Sequence, residues 1–176
     1  MMIKKRFCLV GAALAIFTLG FGAQQANAQS GQPRLVGTYG DWQAYVFFEN
    51  SNKVCYMASQ PQKKQGNYTK RGEPFALITH RPADNTRDVF SYVTGYSYKK
   101  DSQAEAVIDG SSFTLYTQDE TAWGPDADTD RALVKAIREG SKMVVKGTSS
   151  RGTLTTDTLS LRGSGAAYDR ISSECK

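Results

Sequence analysis

The chain carries one histidine, His80, and three cysteines, Cys8, Cys55 and Cys175, so its range of side-chain chemistry is narrow. A single imidazole excludes multi-histidine metal centres and leaves one candidate base for a Ser-His-Asp arrangement. No GxSxG nucleophile elbow accompanies it. His80 ends an apolar run and precedes Arg81-Pro82, the setting of a structural strand-end histidine. A hydrolase using His80 is kept as the enzymatic alternative to a non-enzymatic reading. Asp126-x-Asp128-x-Asp130 opens like a calcium loop, but Arg131 stands where glycine is needed and Ile137 where a bidentate Glu belongs. These carboxylates read as the acidic first turn of a helix. The run GTSSRG, Gly147 to Gly152, lacks the Lys-Ser/Thr ending of a phosphate loop and reads as a hairpin connection. No catalytic residue, metal or cofactor is expected.

One segment has the composition of a binding surface. Lys63, Lys64, Lys70 and Arg71 lie around Tyr68 in a polar stretch from Gln62 to Gly72. With no other apolar anchor it is expected to be a solvated loop, able to touch anionic lipid, acidic glycans or a partner protein. Asn67-Tyr68-Thr69 fits a glycosylation sequon, a pattern short enough to arise by chance.

The elements that must position these residues are mostly strands. Apolar alternation or continuous apolar runs mark Asp41–Phe48, Val54–Gln60, Phe75–His80, Asp88–Tyr96, Ala104–Ile108, Ser112–Gln118, Lys142–Thr148 and Thr153–Leu161. Phe75 to His80 is apolar almost throughout, as in a strand covered on both faces. In Thr153–Leu161 the apolar residues change parity between Leu154 and Leu159, which predicts a bulge. Asp109-Gly110 is the strongest hairpin signal. Two helices interrupt the strands. One spans Ala127–Glu139, with Asp128 and Asp130 early, Arg138 late and Gly140 after its end. The other runs from about Gly165 to Glu174 and sets Tyr168, Ile171 and Cys175 on one stripe. Seven to nine antiparallel strands with two short helices read as an all-β sandwich. Trp42 and Trp123 are expected in core or sandwich-end packing.

Compartment follows from the N-terminus. Lys4-Lys5-Arg6 precede an uncharged apolar run from Phe7 to Ala23, and Ala26-Asn27-Ala28 offers small residues for signal peptidase. Residues 1–28 read as a secretory signal peptide cleaved after Ala28, residues 29–37 as a flexible leader, and residues 38–176 as one domain. Cleavage removes three of the 22 basic residues and none of the 17 acidic ones, so the net charge falls from +5 to +2. A nucleic-acid role would want a concentrated basic face, and an exported protein meets little nucleic acid, so none is expected as a partner. Cleavage also leaves two cysteines, Cys55 and Cys175, which in an oxidising compartment are expected to bridge; buried free thiols are the alternative.

Longer blocks carry a family resemblance. GDW (Gly40–Trp42), VCYMASQP (Val54–Pro61), KRGEPFALITHRPADNTRDVFSYVTGY (Lys70–Tyr96), FTLYTQDETAW (Phe113–Trp123) and KGTSSRGTLTTDTLSL (Lys146–Leu161) resemble the invasion-associated locus B family of alphaproteobacteria. The likeness runs from about Tyr39 to Lys176. It implies an immunoglobulin-like β-sandwich located in the periplasm or peripherally associated with the outer membrane. The family name comes from a role in host-cell, notably erythrocyte, invasion by a pathogenic member. The resemblance brings no catalytic residues, and it supports pairing of Cys55 with Cys175. The expected partner is an envelope or host-surface component; a surface adhesin acting directly on host cells is a further alternative.

Overall fold

The structure is a computed structural model that describes residues 31–176. The expected signal peptide, residues 1–28, lies outside the described residues. Eleven strands and two helices follow in the order β1 (Arg34–Tyr39), β2 (Trp42–Glu49), β3 (Asn52–Ser59), β4 (Lys63–Gly66), β5 (Phe75–Arg81), β6 (Thr86–Val93), β7 (Gln103–Ile108), β8 (Ser111–Gln118) and β9 (Thr121–Trp123). Then come α1 (Ala127–Glu139), β10 (Lys142–Thr148), β11 (Leu154–Ser160) and α2 (Ser164–Glu174). All strand pairs are antiparallel, in the order β1-β2-β3-β5-β6-β9-β8-β7-β10-β11-β4. The sheet folds over itself as a sandwich, so strands far apart in that order meet across the core. The Trp42 indole on β2 donates to the Ser160 carbonyl on β11 at 3.1 Å, and Tyr92 on β6 donates to Asp157 on β11 at 2.7 Å.

Eight strands fall where alternation places them; β1, β4 and β9 were not expected. β1 begins within residues 29–37, the segment read as a leader: Arg34, Leu35 and Gly37 pair with β2. Edge strands and a three-residue strand bury too little to impose a pattern of period two. Asp109 and Gly110 both take positive φ, 46° and 99°, the turn geometry that this dipeptide favours.

The core joins both layers to the two helices. Trp42, Met57, Phe90, Tyr92 and Leu115 from the strands are fully buried, with Leu133 and Ile137 of α1 and Ile171 of α2. Burying each such side chain contributes about 1.5–3 kcal/mol. Asp126 caps α1 by accepting from the Thr129 N–H at 2.7 Å. Gly140 ends α1 without the left-handed turn common at such positions (φ −87°); a Cβ there would lie 2.9 Å from Asp109 Oδ2. That carboxylate accepts from the Ser141 and Lys142 N–H groups, linking helix end to hairpin.

The expected bridge joins Cys55 on β3 to Cys175 just after α2, 120 residues apart. The carbonyls at the end of α2 find cations. Lys53 donates to Glu174 O at 2.6 Å and Arg87 to Cys175 O at 2.8 Å, meeting both the orphan acceptors and the negative end of the helix dipole.

Candidate functional site

His80 carries the chain's only imidazole. It is fully buried on β5. Its Nδ1 accepts the Asp88 backbone N–H at 3.1 Å, which places the ring proton on Nε2, 3.1 Å from Ser172 Oγ. The Asp88 carboxylate lies 3.9 Å from Nδ1 and accepts from the Tyr168 hydroxyl at 2.7 Å. Ser172, His80 and Asp88 thus sit together, but the tautomer is the reverse of what a triad base needs. Burial, then the charge of Arg87, depress the pKa and keep the ring neutral. This imidazole ties β5 to β6 and α2.

The basic stretch Gln62–Gly72 departs from the solvated loop expected of it. Lys63 to Gly66 form β4, an edge strand paired with β11. Lys63, Lys64 and Lys70 remain exposed, and Lys64 pairs with Glu73 at 2.9 Å. Tyr68 is 36% exposed. Arg71 differs from the others: its side chain is only 3% exposed, drawn in against Asp157 at the base of a groove rather than projecting into solvent. Two of its nitrogens meet the Asp157 carboxylate at 2.8 and 2.5 Å, and Nε donates to Thr94 O at 2.7 Å. Its guanidinium lies between the rings of Tyr68 and Tyr96, 5.6 and 5.0 Å from their centroids. Burial is the largest single influence on Arg71 and opposes its charge, but the hydrogen bond and charge of Asp157, with Tyr68, together outweigh it and raise the pKa. Burial first, then the Asp157 charge, hold the Tyr92 phenol protonated as the carboxylate's third donor.

This network floors a groove of about 520 Å³ lined by Tyr68, Thr69, Lys70, Ser97, Ser150 and Arg151, among others. Its geometry depends on a close backbone approach. The Gly72 N–H donates to Gly95 O at 2.9 Å, and a Cβ on Gly95 (φ +74°) would lie 2.4 Å from the Gly72 carbonyl oxygen. With Arg71 neutralised below, the positive charge at the groove comes from Lys70 and Arg151. Hydroxyls and two cations suit an anionic or hydroxylated group on a partner surface.

Asp157 is the member of this network that sequence reasoning missed. Thr155, Asp157, Leu159 and Leu161 are all buried on one parity, and β10 and β11 pair without a register shift. No bulge exists; polar residues occupy inward positions, and Leu154 is the residue turned out (59% exposed). The parity change marked the buried carboxylate.

The Asp126-Asp128-Asp130 run diverges. Asp126 caps the helix, Asp128 pairs with Arg131, and Asp130 accepts the Phe90 N–H at 3.3 Å. Among the described residues no three His, Cys, Asp or Glu side chains converge as metal ligands. Burial pushes the Asp130 carboxyl up to about 6, against the opposing Phe90 bond. The folded state therefore holds the proton more tightly than the unfolded chain, and stability falls as pH rises from about 4 to about 6. Asp130→Asn keeps an acceptor for Phe90 without the charge. Because the group is only half-buried, the gain expected at pH 7 is about 1 kcal/mol after solvent screening. Thermal melts at pH 7 and pH 3.5 check this: stabilisation at the first and none at the second.

The family model described as Invasion associated locus B (IalB) protein matches residues 42–172. Among solved structures, the crystal structure of invasion associated protein B from Bartonella henselae is similar at TM-score 0.55 and 16% identity, covering 78% of this chain and 95% of that one. At that identity the likeness concerns the fold. A comparison with curated proteins finds no match. The family match spans both halves of the Arg71–Asp157 clasp and the whole sandwich from β2 to the last turn of α2, and by it the chain belongs to the invasion associated locus B family.

Proposed function

We propose that this chain is an exported, non-enzymatic protein of the periplasm or outer membrane, acting as a binding module in the cell envelope. The observation that carries the reading is the Cys55–Cys175 bond, which belongs to an oxidising compartment and agrees with the signal-like residues 1–28. Its non-enzymatic character is supported by His80, whose Nδ1 lone pair is occupied by a backbone N–H. Among the described residues no helix is long and apolar enough to cross a membrane. The contact surface in this reading is the exposed side of the basic segment together with the groove at Lys70 and Arg151. The names of the family and of the similar Bartonella protein point to host-cell invasion as the setting in which such contact is used.

Cell fractionation with N-terminal sequencing tests export. The expected product begins at Gln29 and resists thiol alkylation until reduced. A chain that keeps Met1, with Cys55 and Cys175 open to alkylation, would sink the reading. Contact is tested by replacing Lys63, Lys64, Lys70 and Arg151 with Gln and leaving Arg71 in place. Retention on anionic vesicles or host cells is expected to fall severalfold and to weaken with salt. Protease added to intact cells separates a surface adhesin, which is digested, from a periplasmic protein, which is not.

A further inference from the structure

The outward face of β2, β3 and β5 breaks the rule that the solvent side of a sandwich sheet is polar. Its outward residues include Tyr45, Phe47, Tyr56, Ala58, Phe75 and Leu77, all half-buried, while Trp42, Met57 and Ile78 face the core on the opposite parity. β5 reads in sequence as a strand covered on both faces; within the described residues only its inner face is covered.

A groove of about 530 Å³ lies on this face, separate from the one beside Arg71. That volume falls within the range of small-ligand sites. Tyr45 and Tyr56 stack with centroids 5.0 Å apart and planes within 12°, so on neighbouring strands they stand up together as an aromatic wall. Leu77, Ala58 and Phe75 add the apolar floor. The remaining lining is rich in amides. The Tyr45 hydroxyl donates to Gln43 Oε1 at 2.7 Å, leaving the two amide hydrogens of Gln43 for other acceptors, and Gln60 and Gln62 are exposed beside it.

Charge narrows the ligand. The lining holds no Lys or Arg, and its one charged residue, Asp41, is bonded through both oxygens to Arg162 at 3.2 Å. The wall carrying Asp41 is pre-set. The Asp41 N–H donates to Arg162 O at 3.0 Å, the Ser59 hydroxyl to Asp41 O at 2.7 Å, and a Cβ on Gly40 would lie 2.5 Å from Arg162 O. An anion has no counter-charge here, and a cation finds a carboxylate already paired. An acyl chain would offer the amides no partner. A pyranose chain has what this surface complements: apolar C–H faces for aromatic rings, and a periphery of hydroxyls, or N-acetyl groups, for amides.

We propose that this groove binds an uncharged oligosaccharide through the Tyr45–Tyr56 wall, the Phe75–Leu77 floor and the amides of Gln43, Gln60 and Gln62. The proposal is independent of the contact surface at Lys70 and Arg151.

The test is an NMR and calorimetric titration of the mature, oxidised protein with β-1,4-linked N-acetylglucosamine tetramer and with cellotetraose. Expected are saturable shifts confined to these residues with at least one of the two sugars. Tyr56→Ala should weaken binding roughly tenfold. Gln60→Ala with Gln62→Ala, both exposed, should weaken it several-fold. Exchange of Lys70 and Arg151 for Gln should leave it unchanged, which separates this site from the proposed contact surface. The idea is overturned if neither sugar shifts these resonances at millimolar concentration, if the double Gln variant binds as well as the parent, or if a heparin-derived tetrasaccharide binds more tightly than either neutral sugar.

Discussion

Asp157→Ala is expected to be the most damaging single substitution in the sandwich interior, lowering stability by about 3–5 kcal/mol. The reason is asymmetry. The pair itself contributes little net, because bringing both charges out of water cancels much of their attraction. Removing the carboxylate, however, leaves the Arg71 side chain 3% exposed with two nitrogens unpartnered, and it orphans the Tyr92 hydroxyl. A double exchange, Arg71→Met with Asp157→Leu, should recover part of the loss, since no charge is then left buried, while the Tyr92 hydroxyl and the Thr94 carbonyl stay without these partners. Urea unfolding of the parent, both single variants and the double variant measures the coupling directly. A loss under about 1 kcal/mol for Asp157→Ala would mean that water reaches Arg71 and that the clasp is not closed in solution. Arg71→Ala should also loosen Tyr68, whose ring it contacts, and widen the groove.

Reduction of the Cys55–Cys175 bond is the second large effect. Closing a loop of 120 residues limits the unfolded chain enough for about 4–5 kcal/mol in the chain-entropy account. Native contacts at the same place add to the consequence. The bond holds the end of α2 where Lys53 and Arg87 meet its last carbonyls, so a freed Cys175 would let that turn fray. Urea midpoints with and without reductant, beside a Cys55→Ser/Cys175→Ser variant, should agree and fall well below the oxidised parent. Small domains have about 5–15 kcal/mol in total, so losing both the bond and Asp157 should leave no folded population at 37 °C. A midpoint indifferent to reductant would remove the main support for export.

How much of this was legible beforehand differs by element. The α1 helix was readable because its cap, its acidic first turn and its buried face all lie within fourteen consecutive residues, Asp126 to Glu139. The Asp109-Gly110 turn was readable for the same reason: backbone conformation there is a property of the two residues themselves. β4 was not. Lys63-Lys64-Gln65-Gly66 has no strand pattern of its own and is extended because β11 offers it hydrogen bonds. In β11 a buried aspartate looked like a bulge, because an inward polar residue is indistinguishable from a shift in register until its partner is known.

The candidate site divides along the same line. Composition and spacing pointed to the strand-rich class and to a basic segment around Tyr68, since each depends on residue type or short-range order; the family came from the resemblance of longer blocks, which also supported pairing of the last two cysteines. Which of those basic residues reach solvent was decided only by tertiary contact. Arg71 is drawn inside by a carboxylate 86 positions away, while Lys63 and Lys70 stay outside. The groove of Tyr45, Tyr56 and Phe75 likewise exists only once β2, β3 and β5 lie side by side. Periodicity tells a strand which of its faces is apolar, and the packing of distant segments determines whether that face is covered.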